Sequence, residues 1–206
     1  MTWHPAYRDW VLTPDYTFAQ RHLKEPLLDA LVAHARTVAA LPAAHGHEPA
    51  LAALEAGLQR LRHRDVGQHE PDVPDLYFAL QRALAADVGP EPLGWLRLGL
   101  SRNDLDMTVY VLRARSTSLT RLRALLAFQD ALLDLAGDHL DTLMIAHTHH
   151  QPGQPTTLAH YLAATAAAVE RDVMRALQAL QRLDRCPLGA AALAGSSHPL
   201  DRQAAA

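Results

Sequence analysis

Six leucines recur at seven-residue intervals, Leu105, Leu112, Leu119, Leu126, Leu133 and Leu140, and this repeat constrains the fold more than any other feature of the 206-residue chain. A seven-residue apolar period keeps one stripe of an α-helix facing its neighbours; a strand, with its period of two, has no use for it. Leu122 and Ala136 occupy the adjoining stripe. At ~1.5 Å per residue a helix from Asp104 to Leu140 spans roughly 55 Å, longer than a small domain is wide. A 206-residue monomer cannot cover that seam. Arg115 and Gln129 interrupt it, which selects particular partner helices over a simple two-stranded coil.

A second long helix, from about Thr156 to Leu183, repeats the device with Leu162, Val169, Ala176 and Leu183 one heptad apart. Alanines at 163, 164, 166, 167 and 168 allow other helices to approach closely. The two helices predict an antiparallel pair joined through a polar stretch near residues 146–155, with the first ending near Leu143. Upstream, apolar faces predict helices from Glu25-Pro26 to about Ala40, from Glu48 to Arg62, and from Pro74-Asp75 through Leu84, separated by Leu41-Pro42, Gly46 and Gly89-Pro90. Residues 90–99 read as a connection anchored by Trp95 and Leu98. Residues 1–23, with Pro5, Pro14 and three aromatics in the first ten positions, read as irregular chain wrapping a surface. The expectation is an all-α protein with an amino-terminal helical region, 1–99, and the first long helices of a bundle, 100–206.

Composition excludes several classes. The nineteen Lys and Arg residues are spread rather than patched and the net charge is −3, so nothing favours nucleic acid. No apolar run is long enough to cross a membrane, and Met1-Thr2-Trp3-His4-Pro5 lacks the regions of a signal peptide. The single cysteine, Cys186, cannot form an internal disulfide, which suits a reducing compartment. The cytoplasm is the expected location.

Chemistry concentrates in Ala146-His147-Thr148-His149-His150-Gln151-Pro152-Gly153-Gln154-Pro155-Thr156-Thr157-Leu158. A helix N-terminus beside it favours an anion, and imidazole titrates near neutrality and can move a proton. Three readings stand: a surface loop that happens to be histidine-rich, a metal site built on His147, His149 and His150, and acid/base work on an anionic substrate. The histidine spacing is not a helical i, i+4 pair and Cys186 is remote, so metal ranks below the others. No metal and no cofactor are expected.

Three motifs bear on the choice. His147-Thr148-His149-His150-Gln151-Pro152-Gly153-Gln154-Pro155 resembles the Thr-His-x-Gln-x-x-Gln-Pro signature of the argininosuccinate lyases, within the fumarase and aspartase superfamily. Leu100-Ser101-Arg102-Asn103-Asp104 is similar to that family's Gly-Arg-Ser-Arg-Asn-Asp, and Cys186-Pro187-Leu188-Gly189-Ala190-Ala191-Ala192-Leu193-Ala194-Gly195 to its Cys-Pro-Leu-Gly-Ser-Gly-Ala-Leu-Ala-Gly. Weaker similarity reaches back to Ala33-His34-Ala35-Arg36. The resemblance implies elimination of an amine or guanidinium from a succinyl adduct to give fumarate, as in arginine biosynthesis. It also implies a central bundle assembled from four subunits, with each active site drawing on three chains. Carried to this sequence, it makes His149 the proton-transferring residue, has Asn103 and Thr148 hold a dicarboxylate-type substrate beside Ser101 and Gln151, and lets Arg102 meet a carboxylate through its planar fork.

The chain departs from the family at stated places. Leu31 stands where the family carries a substrate-contacting serine, Tyr77 where an Asp-Val-His-like motif ends in histidine, and Ala191 where the Cys-Pro-Leu-Gly run has its second glycine. The mobile Gly-Ser-Ser-x-Met-Pro-x-Lys-x-Asn loop that carries the catalytic serine is absent from the 206 residues; Ser196-Ser197 lacks the following Met, Lys and Asn. The resemblance therefore covers about the amino-terminal half of a lyase. Two functional expectations follow: a lyase completed by a homo-oligomer or a complementary carboxy-terminal chain, or a non-catalytic helical scaffold derived from one.

Overall fold

The computed structural model describes residues 3–206, and its elements run α1 (Pro5–Tyr7), a π-type turn (Arg8–Leu12), α2 (Thr13–His22), α3 (Lys24–Ala39), a 3-10 turn (Pro42–Ala44), α4 (Glu48–His63), α5 (Leu76–Val88), α6 (Pro90–Leu96), α7 (Arg102–Asp138), β1 (Leu143–Thr148), β2 (Gln151–Thr157) and α8 (Leu158–Leu183). Among the described residues the protein is all-α apart from one two-stranded hairpin. No described helix is long and apolar enough to cross a membrane. Two compact units form, one reaching to Arg113 and taking in Arg185–Ala206, the other Ala114–Asp184. Helix α7 passes from the first into the second.

In the first unit α3, α4 and α5 bury one face each. Leu27, Leu28 and Leu31 on α3, Leu54, Leu58 and Leu61 on α4, and Leu76, Leu80 and Leu84 on α5 meet in one core, closed by Leu96, Leu105 and Val109. At ~1.5–3 kcal/mol for each fully buried leucine, this core is the unit's main source of stability. The helix starts follow local chemistry. Proline lies in the first turn of α4 and α6, where no backbone donor is needed, and the Asp75 side chain accepts the Phe78 N–H to cap α5.

Residues 5–22 are helical where irregular chain is expected; Met1 and Thr2 of that stretch lie outside the described residues. Pro5 opens α1, with the His4 ring accepting the Ala6 N–H at 3.3 Å, and Pro14 sits in the first turn of α2. The widened π-type turn ends at Leu12, two residues before Pro14, whose ring and missing N–H cannot continue a regular i→i−4 ladder. Tyr16, buried, then secures the segment, its hydroxyl donating to the Gly67 carbonyl at 3.4 Å. Residues 90–96, expected as a connection, form the short helix α6, with Leu96 buried and Trp95 and Leu98 packed against Val38, Leu41 and Leu51.

In the second unit α7 and α8 pack through Leu122, Val169 and Val173, flanked by Leu125, Leu132, Ala176 and Leu180, and further on through Ala136, Ala159 and Leu162. The heptad leucines take another course. Leu105 is buried in the first unit, whereas Leu119, Leu126, Leu133 and Leu140 are 39%, 42%, 48% and 65% exposed. The stripe that faces α8 is the adjoining one, and the leucine stripe is left uncovered.

Helix α7 stops at Asp138, short of Leu143, and the expected polar loop is a β-hairpin. Leu143 pairs with Thr157 and Thr148 with Gln151, and a register shift after Ala146 leaves Gly153 as the extra residue beside Pro152. A two-stranded hairpin has no third strand asking for donors, so Pro152 and Pro155 are tolerated. Its two-residue turn is His149-His150, both left-handed at φ 49° and 61°. That geometry matches strand twist and usually calls for Asn-Gly, so the histidines hold it under strain. Helix α8 starts two residues later than expected, where the Thr157 side chain accepts the His160 N–H at 3.2 Å.

Candidate functional site

Ser101-Arg102-Asn103-Asp104 forms the first turn of α7 through a reciprocal cap. The Ser101 hydroxyl accepts the Asn103 N–H at 3.2 Å, and Asp104 Oδ1 accepts the Ser101 N–H at 3.0 Å. The turn exposes Asn103 and buries Asp104. Asn103 Nδ2 donates to the Ala192 carbonyl at 3.0 Å. Asp104 Oδ2 accepts the N–H groups of Gly189 and Ala191, both at 2.9 Å. Two of the three motifs are thereby in contact: the Ser-Arg-Asn-Asp turn and the Cys186–Gly195 loop, whose Leu188 is fully buried.

Arg102 is half-buried and already engaged. Its Nε and Nη2 donate to the two Asp106 oxygens at 3.0 Å each, and Nη1 donates to Asp75 Oδ2 at 2.9 Å. The guanidinium carbon lies 4.6 Å from the centre of the Tyr77 ring. Burial alone would weaken the charge, but Asp106 and Asp75 outweigh it and hold the Arg102 pKa above its ordinary value. A ligand carboxylate at Arg102 must therefore exchange with one of these aspartates. The surrounding cavity of about 180 Å³ is lined by Asp15, Asp75, Tyr77, Arg102, Asp106 and Tyr110, among others. Tyr77, at the position where the family's histidine is expected, places its hydroxyl 3.2 Å from the Gln81 carboxamide, and burial pushes its pKa up. Leu31 is a core residue.

The other candidates sit on the hairpin. Thr148, His149 and Gln151 are exposed around its turn, and among the described residues their side chains make no hydrogen bond within the chain. His147 is held by its Nδ1 against the Ile145 carbonyl at 3.0 Å. No cluster of three His, Cys, Asp or Glu side chains converges as a ligand set among the described residues. The six candidates thus form two groups: Ser101, Arg102 and Asn103 on the first unit, and Thr148, His149 and Gln151 on the second.

Sequence reasoning missed three participants. Asp106, four residues beyond Arg102 on the same helix face, was open to detection from that spacing. Asp75 enters the sequence reading as a helix start and as the first position of the Asp-Val-His-like motif, with no link to Arg102. Asp104 enters the sequence reading as the last residue of the Leu100–Asp104 motif, and its bonds to residues 85 and 87 positions away leave no local signature. His34 is buried, with Nε2 lacking a partner, and burial drives its pKa down.

A family model described as a lyase matches residues 14–206. The argininosuccinate lyase of Methanothermobacter thermautotrophicus is 36% identical over 196 residues, 93% of this chain and 40% of that protein. That of Natronomonas pharaonis is 42% identical over 132 residues, 64% of this chain and 27% of that protein. Among solved structures, EDDS lyase in complex with formate superposes with a TM-score of 0.76 at 26% identity, covering all of this chain and 40% of that one. A fumarate lyase:delta crystallin from Brucella melitensis shares the fold alone, with a TM-score of 0.70 at 20% identity, covering 98% of this chain and 47% of that one. The chain spans about two fifths or less of the curated relatives it matches. With its three motifs in order and its helical architecture shared, the chain belongs to this lyase family and resembles the argininosuccinate lyases within the fumarase and aspartase superfamily.

Proposed function

We propose that this chain contributes part of the active site of a carbon–nitrogen lyase that eliminates an amine or guanidinium from an N-substituted aspartate, argininosuccinate being the first candidate, and releases fumarate. The observation that carries this reading is the hairpin turn, which holds Thr148, His149 and Gln151 exposed and unbonded in a strained conformation. Strain of this kind persists where the surroundings need the geometry. In the reaction a proton leaves the carbon beside a carboxylate and the C–N bond then breaks. His149 serves as the proton-transferring group. Charge builds on the carboxylate, and Thr148 of the second unit and Asn103 of the first are the donors proposed for it, brought together by the assembly of several copies. The exposed leucines of α7 are the surface on which copies of this chain, four in the full assembly, build the common bundle from residue 100 onward, in the reducing cytoplasm where Cys186 stays free.

The test is fumarate release from argininosuccinate, followed by ultraviolet absorbance. The wild-type chain and its His149→Ala variant are assayed alone and mixed with a polypeptide carrying the Gly-Ser-Ser-x-Met-Pro-x-Lys-x-Asn loop and the remaining helices. Fumarate from the wild-type mixture and none from the variant is the expected result. No fumarate from any mixture that assembles overturns the reading in favour of a non-catalytic scaffold.

A further inference from the structure

One buried carboxylate has no part in the chemistry just described. Asp104 is 3% exposed, and among the described residues its charge is met by backbone N–H groups alone: Ser101 at 3.0 Å on Oδ1, and Gly189 and Ala191 at 2.9 Å on Oδ2. A carboxylate removed from water is tolerated when several such donors replace its hydration, and its place in the first turn of α7 adds the favourable helix dipole. Capping the helix uses Oδ1 only. The second oxygen serves the loop.

The loop is shaped to receive it. Gly189 at φ 86° and Ala191 at φ 52° are both left-handed, and their N–H groups converge on Oδ2. Successive backbone donors turned to one side make a concavity that takes an anion. Here Asp104 fills it, so these two N–H groups are not free for a substrate carboxylate. The same loop then presents the Ala192 carbonyl to Asn103 Nδ2 at 3.0 Å.

We propose that Asp104 is a positioning residue: through Oδ2 it holds the Cys186–Gly195 loop in the conformation whose Ala192 carbonyl fixes the Asn103 carboxamide and turns its second N–H to donate to a dicarboxylate substrate. This rests on the reading of Ser101-Arg102-Asn103 as a substrate-binding turn. Asp104 itself touches no substrate.

The test uses the full chain and two variants, Asp104→Ala and Asp104→Asn, with amide hydrogen exchange and two-dimensional NMR as readouts. In Asp104→Ala the amides of 188–192 exchange at least about tenfold faster, the Asn103 side-chain signals shift, and helix content stays unchanged. Asp104→Asn, which keeps one acceptor oxygen, lies between, and carries the test if the alanine variant fails to fold. Millimolar formate, a free carboxylate, slows exchange again in Asp104→Ala, which general loosening of the fold would not allow. Fumarate titrated onto Asn103 binds about tenfold or more weakly in Asp104→Ala than in wild type. Unchanged exchange at 188–192 overturns the clamp, and faster exchange with unchanged fumarate affinity overturns the positioning role. Wild-type chain that ignores fumarate while the exchange results hold refutes the substrate-binding reading of the turn and leaves Asp104 a loop clamp, so the two failures are distinct.

Discussion

Replacing Leu126 and Leu133 by glutamate should break self-association and leave the fold intact. Leu119, Leu126, Leu133 and Leu140 expose between 39% and 65% of their surface, about two whole leucines' worth in all, while Leu122, Val169 and Val173 carry the contact between α7 and α8. Burying a leucine completely is worth ~1.5–3 kcal/mol. Covering the exposed part of Leu126 and Leu133 in a partner's helices is then worth about 2 kcal/mol per chain, or ~4 kcal/mol where two copies contribute alike. Loss of that term weakens association on the order of a thousandfold, before the cost of burying two carboxylates is added. Glutamate forms helix as readily as leucine, so α7 should persist. Sedimentation velocity across a concentration series, with far-ultraviolet circular dichroism on the same samples, makes the measurement. A double variant that sediments like wild type refutes the argument, and so does a wild-type chain that stays monomeric throughout. Leu122→Glu is the contrasting control, since it should unfold the α7–α8 pair.

Three further outcomes follow from single residues. Burial lowers the His34 pKa, more than the Leu98 and Leu96 carbonyls and Asp104 raise it; below about pH 6.5 the unfolded chain takes up a proton that the folded one refuses, so stability falls by up to ~1.4 kcal/mol per pH unit until the folded pKa is reached. Urea unfolding at pH 7.5, 6.5 and 5.5 should show this loss, and His34→Gln should remove it. Gly57→Ala ought to stabilise α4 by ~1 kcal/mol on helix propensity, but its Cβ would lie 2.5 Å from Val88 Cγ1 and 2.8 Å from Leu84 Cδ1, so a net loss of ~1 kcal/mol or more is expected in urea. Ala191→Gly should instead gain about 1 kcal/mol, since Ala191 holds φ 52° where the family's motif has glycine, and a thermal melt of the two chains reads the difference.

Much of the fold was legible because its signals are local. Helices α3 and α4 lie within a residue of their expected bounds, since proline in the first turns, Gly46 between them and leucines three and four apart all speak over a few positions. The same local reading misjudged residues 5–22, where Pro5 and Pro14 count as breakers unless each falls in a first turn with a widened turn between. It also misjudged the hairpin, because prolines at 152 and 155 break strand alternation and His149-His150 is an unusual pair for its turn. The leucine repeat announced a long helix but not which stripe meets α8. That choice depends on the partner's small and apolar positions, Ala159, Val169 and Val173, as much as on α7 itself.

The polar groups of the candidate site divide by what already satisfies them. Arg102 is shared between Asp75 and Asp106, and Asp104 is consumed by three backbone donors. Both are the charged members of their motif, the ones sequence reasoning reaches for first when a substrate is anionic. The uncharged members are the ones left with open valences: among the described residues, the Asn103 side chain has bonded one N–H, and the Thr148 and Gln151 side chains have bonded none. For the dicarboxylate substrate proposed above, such a division would suit turnover, because a free guanidinium would bind the product fumarate as tightly as the substrate and gain nothing for the transition state. On that proposal, neutral donors would favour the orientation in which the carboxylate gains negative character, at little cost to release.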